Sequence, residues 1–151
     1  MSTVQTQGKA PQKRILVIED DPDISFIMKR RLSSIRPDDK ILIAKSIFAG
    51  VTMFQEKAVD FIFLDLNLPD SFGISSVRDI RKYNKNVPII VTTGLANELT
   101  IEEALKHGAQ ELVLKSQITK EYLEEALNKY LVDAAQPAPT TLAAASGGQE
   151  S

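Results

Sequence analysis

Two rhythms of apolar residues alternate along the chain. Short unbroken runs occupy residues 15–18, 41–44, 61–64, 88–91 and 112–114, and between them apolar side chains recur three and four positions apart. Unbroken runs of this length read as strands buried on both faces, as in a parallel sheet. The spaced residues read as helices with one apolar side. In the first helix that side comprises Ile24, Ile27, Met28, Leu32 and Ile35, with Asp21 as cap, Pro22 in the first turn and a stop before Pro37. Arg31 falls inside this stripe and is expected to lay its stem on the sheet and lift its charge to water; Phe26 lies nearly opposite and should face solvent. Ser46 caps a second helix carrying Ile47, Val51, Phe54 and Ala58, and residues 74–83 give a short third one packing Ile74, Val77 and Ile80. Thr100-Ile101-Glu102-Glu103 has the form of a capping box for a fourth, with Ile101, Ala104 and Leu105 inward and Gly108 as its stop. Thr119 caps the fifth, whose stripe is Leu123, Ala126, Leu127, Tyr130 and Leu131. Five strands alternating with five helices, joined by connections too long for hairpins, predict an α/β fold with a doubly wound parallel sheet covered by helices on both faces.

Composition adjusts this picture at its ends. Residues 1–13 are polar and lack anything to pack, so a disordered leader is expected there; residues 133–151, rich in Ala, Pro, Thr, Gly and Ser, are expected to be a flexible tail. Residues 14–132 then hold one folded domain, and no second one fits in 151 residues. A net charge of −2 supplies no basic field for nucleic acid, and the absence of cysteine removes disulfides, thiolate metal sites and thiol nucleophiles together. No apolar run is long enough for a membrane span and no signal-peptide pattern opens the chain, so a cytoplasmic protein is expected.

The strand ends carry the chemistry. The first strand stops at Glu19-Asp20, the third at Asp65, the fourth at Thr92-Thr93 and the fifth at Lys115. Parallel strands place all of these at one carboxyl edge, where open α/β sheets bind their ligands. Crowded carboxylates raise one another's pKa unless a cation sits among them, and Mg²⁺ suits one or two carboxylates, a carbonyl, waters and phosphate oxygens. Lys115 brings a second positive charge and Thr93 a hydroxyl, the groups that a phosphoryl oxygen cluster requires. Asp65 stands alone on the central strand and is the natural acceptor, whereas Glu19 and Asp20 form a metal pair; a carboxylate attacking phosphorus yields an acyl phosphate. The one histidine, His107, is expected to be a solvated helix-end residue complementing the helix dipole.

Taken together, Ile-Leu-Val-Ile-Glu-Asp-Asp-Pro, Phe-Leu-Asp-Leu-Asn-Leu-Pro with Gly73, Val-Pro-Ile-Ile-Val-Thr-Thr-Gly, and Gly-Ala with Leu-Val-Leu-Lys resemble the receiver domain of two-component response regulators over residues 14–132. The resemblance implies a flavodoxin-like (βα)5 fold with strand order 2-1-3-4-5. It implies phosphorylation of Asp65 by a sensor histidine kinase or a histidine phosphotransfer protein. It also implies direct Mg²⁺ ligation by Asp20 and Asp65, a backbone carbonyl from Asn67, and Glu19 acting through water. Thr93 and Lys115 would hold the phosphoryl oxygens. Kinase docking on the first helix singles out Phe26, and Leu95 and Leu99 stand beside the fourth helix as core or interface residues.

Two positions depart from that family's pattern. Ser116 follows Lys115 where a proline joined by a cis bond is usual, so either the same bond is kept at a cost of about 2.5–4 kcal/mol or the loop takes another path. Leu112 stands where an aromatic ring usually reads out phosphorylation. Leu95 is apolar where the family flanks the attacking water, which predicts a long-lived phosphate. The leading expectation is a stand-alone, non-enzymatic phosphoacceptor that signals through protein contacts, as monomer or phosphorylation-dependent dimer. The alternatives are a receiver-fold adaptor that is never phosphorylated and a hydrolase with an aspartyl-phosphate intermediate, for which the short loops leave no substrate cap.

Overall fold

Phe61–Asp65 forms strand β3, and all five of its residues are buried. Its side chains alternate between two cores. Phe61 and Phe63 join Ile15, Val17, Met28, Leu32, Leu123 and Leu127 on one face of the sheet, while Ile62 and Leu64 join Leu16, Ile18, Val77, Ile80, Val91 and Ala104 on the other. A strand buried on both sides has no use for polar alternation, which explains its unbroken apolar run.

The computed structural model describes residues 11–70 and 73–131. The elements run β1 (Arg14–Ile18), α1 (Pro22–Ile35), β2 (Lys40–Ala44), α2 (Ile47–Glu56), β3, α3 (Ser75–Arg81), β4 (Ile89–Thr93), α4 (Glu98–Lys106), β5 (Glu111–Leu114), a single 3-10 turn (Lys115–Gln117) and α5 (Lys120–Tyr130). All pairings are parallel, in the order β2-β1-β3-β4-β5. Fold class and strand order therefore agree with the sequence reading. The expected tail at 133–151 and most of the expected leader at 1–13 lie outside the described residues. Lys13, the last residue of that leader, is tied to the fold: its N–H donates to Asp39 at 3.0 Å and its carbonyl accepts from Lys40 at 2.8 Å. Among the described residues no helix is long and apolar enough to cross a membrane.

The caps on α1, α2 and α5 are those expected: Asp21, Ser46 and Thr119 each accept backbone N–H groups of the first turn. Helix α4 differs. It begins at Glu98 with Asn97 as its cap, and the Asn97 Oδ1 takes both the N–H and the hydroxyl of Thr100, so Thr100 lies inside the helix. An amide at Asn97 outcompetes a hydroxyl three residues later because it serves two donors at once. The shifted start leaves Ala104 as the buried residue of α4, while Ile101 and Leu105, expected inward, are exposed. Helix α2 ends at Glu56, which leaves Ala58 exposed beyond it.

Candidate functional site at the carboxyl edge of the sheet

Register sets the site. Asp65 lies opposite Thr92, and Thr93 opposite Leu114, immediately before Lys115. Ile18 pairs with Ala44 and Leu64, so Glu19 emerges between β2 and β3 at the same edge. Glu19 and Asp65 are each only 1% exposed. One ligand oxygen from each of Glu19, Asp20 and Asp65 can be chosen so that all three lie within 4.8 Å of one another. Nζ of Lys115 stands 3.2 Å from Glu19 Oε1 and 3.2 Å from Asp65 Oδ2. The carboxylate pair and its ammonium therefore meet from three different strands.

The electrostatics of this cluster are unbalanced. Burial pushes the Glu19 carboxyl up to about 7, and the neighbouring Asp65 adds to the shift, against the Asp21 N–H and Lys115. Burial alone would lower the Lys115 pKa, but Asp65 and then Glu19 outweigh it and hold the ammonium above its ordinary range. Three carboxylates face one ammonium. Glu19 Oε1 and Asp65 Oδ2 are buried and meet only the Lys115 ammonium, without a well-aligned hydrogen bond, and a hard divalent cation taking carboxylate oxygens as ligands would balance the remaining negative charge. The donor set thus fits an oxygen-seeking metal ion.

Asn67 is exposed and its N–H donates to Asp65 Oδ1 at 3.0 Å, which folds the chain back over the acid. Thr93 is buried at the end of β4, and its hydroxyl donates to the carbonyl of Leu95 at 2.9 Å. Leu95 and Leu99 are 86% and 65% exposed, which separates them from the core. Phe26, on α1, is 64% exposed, as expected. Leu112 is half-buried and packs on the core shared by Leu64 and Val91. The Lys115–Ser116 peptide is trans. The chain turns there through Lys115–Gln117, with the Ile118 N–H donating to the Lys115 carbonyl at 3.4 Å. His107 is the C-cap of α4 rather than a freely solvated residue, its Nδ1 being 2.8 Å from the Glu103 carbonyl and its side chain 18% exposed.

Two long-range ties around the site have no local signature in the sequence. Asp70, five residues past Asp65, accepts the Ile47 and Phe48 N–H groups at 2.9 and 3.0 Å and so fastens the loop after β3 to the start of α2. Arg31 keeps its guanidinium at the protein surface layer instead of lifting it clear to water, and donates to the Ile118 carbonyl.

Residues 15–128 match the response regulator receiver domain family. The chain is 29% identical over 117 residues to the "Probable C4-dicarboxylate response regulator DctR" of Bacillus subtilis, covering 78% of this chain and 51% of that protein. It spans about half the length of the first curated relatives it matches. Against the chemotaxis protein CheY of Thermotoga maritima it is 28% identical over 120 residues, covering 78% of this chain and 96% of that one. A CheY-like receiver domain structure from Methanospirillum hungatei superposes with a TM-score of 0.73 at 24% identity, over 80% of this chain and 94% of that one.

Proposed function

The chain belongs to the family of response regulator receiver domains, and on that premise we propose that it accepts a phosphoryl group on Asp65 from a phosphohistidine donor. A carboxylate oxygen of Asp65 forms the new O–P bond as the N–P bond of the donor breaks, and the imidazole leaves with the electron pair. The observation that carries this reading is the Lys115 ammonium held 3.2 Å from Asp65 Oδ2 and from Glu19 Oε1. An ammonium so placed meets the charge of an incoming phosphoryl oxygen without having to be recruited.

Glu19, Asp20 and Asp65, with the Asn67 carbonyl, would hold Mg²⁺. When bound, the ion neutralises charge on the carboxylates and on phosphoryl oxygens. Thr93 supplies a hydroxyl once it exchanges the Leu95 carbonyl for a phosphoryl oxygen, and Lys115 supplies the other contact. The chain acts as a cytoplasmic signalling switch rather than as an enzyme turning over a metabolite. The histidine-bearing partner, a sensor kinase or phosphotransfer protein, docks on α1 around Phe26, and a downstream protein meets the loop and helix bearing Leu95 and Leu99. Phosphorylation-dependent dimerisation belongs to the same reading.

Leu112 in place of an aromatic ring favours a second reading, an adaptor that keeps the fold and binds partners without being phosphorylated. Acetyl phosphate and Mg²⁺, with intact mass measured for wild type and Asp65→Asn, separates the two. A phosphoryl mass gain that needs both Mg²⁺ and Asp65 is expected. No adduct on the wild type would leave the adaptor.

A further inference from the structure

Arg31 is a cation within an apolar stripe, and among the described residues it has no carboxylate partner. Its Nη1 donates to the main-chain carbonyl of Ile118. Ile118 is 4% exposed and closes the 3-10 turn that begins at Lys115, its own N–H returning to the Lys115 carbonyl. Arg31 on α1 is thereby connected, through one short turn, to the backbone from which Lys115 reaches Asp65 and Glu19.

Ile118 packs into the core, but Ser116 and Gln117 are exposed, and a solvent-open groove of about 220 Å³ runs between α1 and the loop with Ile27, Arg31, Lys115 and Ser116 among its walls. Solvent rather than packed side chains meets this part of the turn, so its path depends on directed bonds more than on close packing. The Lys115 side chain is long and adjustable, and its ammonium is placed only as well as its backbone is held. Arg31 also lines the neighbouring groove of about 360 Å³ with Phe26, Ile27, Arg30, Ser34 and Lys120. The anchor of the Lys115 turn is thus part of the α1 surface.

We propose that Arg31 is a positioning residue for Lys115: by holding the Ile118 carbonyl it fixes the turn that aims the ammonium at Asp65, and so governs the rate of phosphoryl transfer. This rests on the phosphoacceptor reading above. A purely structural staple between α1 and the loop before α5 is the competing account, and coupling to Lys115 distinguishes them.

The test is a double-mutant cycle on the full chain, reading the initial rate of phosphoryl mass gain from acetyl phosphate with Mg²⁺. Arg31→Met is expected to slow the gain about tenfold, since misplacing a reacting group by a fraction of an ångström to an ångström has effects of this order. Arg31→Lys, which can still donate to a carbonyl, restores part of the rate. In a Lys115→Met background the added Arg31→Met changes the rate less than about twofold, because the group it positions is gone. Lys29→Met, an exposed neighbour on the same helix, changes nothing. Backbone amide shifts of residues 115–118 move in Arg31→Met without acetyl phosphate present. Should Arg31→Met fail to fold, Arg31→Lys runs the same cycle. Equal slowing by the Arg31 substitution with and without Lys115, or wild-type speed for Arg31→Met, overturns the proposal while the phosphoacceptor reading stands. A wild type that gains no phosphoryl mass overturns both.

Discussion

Arg81 grips the carbonyl of Gly108 with two N–H groups, Nε at 3.1 Å and Nη2 at 2.7 Å. The same guanidinium donates to the carbonyls of Asn84 and Val87 and to Gln110 Oε1. It joins the end of α3 to the turns before β4 and β5, at the sheet edge opposite the carboxylates. Arg81→Met leaves several of these carbonyls unpaired and is expected to cost about 3 kcal/mol. Gly108 has φ of +113°, and a Cβ there would meet Arg81 Nε at 2.9 Å. Gly108→Ala is therefore expected to lose about 1–3 kcal/mol, whereas Gly94→Ala, with nothing within 4 Å of its Cβ, stays near wild type. Urea unfolding midpoints of the three variants check this, and a wild-type midpoint for Gly108→Ala would refute it.

Mg²⁺ should raise thermal stability. A ligand bound only by the folded state, at about a hundred times its Kd, stabilises by about 2.7 kcal/mol. Melting with Mg²⁺ and with a chelator is expected to differ by several degrees, and Asp20→Asn should abolish most of the difference. Equal melting of wild type in both conditions would contradict the metal assignment.

The acyl phosphate should be long-lived. Leu95 presents an exposed apolar side chain beside Thr93, and nothing on it can orient a water. Label on Asp65 is expected to persist for minutes or more, and Leu95→Gln to shorten its life severalfold. Loss of label from the wild type within seconds would argue against this.

Glu111 at the start of β5 accepts the hydroxyls of Tyr122 at 2.6 Å and Tyr130 at 2.7 Å, so α5 is fastened to the outermost strand. Burial works against its charge, yet the two hydroxyls and Lys129 hold its pKa below the ordinary value. Stability from Glu111 is complete above the unfolded pKa, near 4.3, and is lost as pH falls through the lower folded value. Burial and then Glu111 raise both tyrosine pKa values. Their contribution is complete below the unfolded pKa, near 10, and declines as pH rises beyond it. Tyr122→Phe is expected to cost about 1–2 kcal/mol at neutral pH and to flatten both limbs of a stability–pH profile. An unchanged profile would exclude the bond.

What the sequence disclosed was local or periodic. Residues 61–64 read as a doubly buried strand because burial on two faces removes polar alternation, and strand direction alone gathered Glu19, Asp65, Thr93 and Lys115 at one edge. What it concealed depends on distant partners. Nothing near Arg31 announces the Ile118 carbonyl 87 residues away, and Asp70 looks like a turn residue until Ile47 and Phe48 are beside it. Asn97 and Thr100 both favour caps, and the choice between them turned on which could satisfy two donors.

The alternation of β3 has a mechanical consequence. Phe63 and Leu64, adjacent in the chain, belong to different packed layers, and Asp65 follows directly. A sideways displacement of the acid would have to deform both layers together, and close-packed interiors yield little. Toward the carboxyl edge the resistance is smaller, because Asp65 there meets the Asn67 N–H and the Lys115 ammonium instead of a packed layer, while Leu66 and Leu68 hold the chain that follows to the second core. The acid is therefore held more firmly across the sheet than toward its rim, which favours passing a change at Asp65 to the turns at Asn67 and Lys115 over spreading it through the cores.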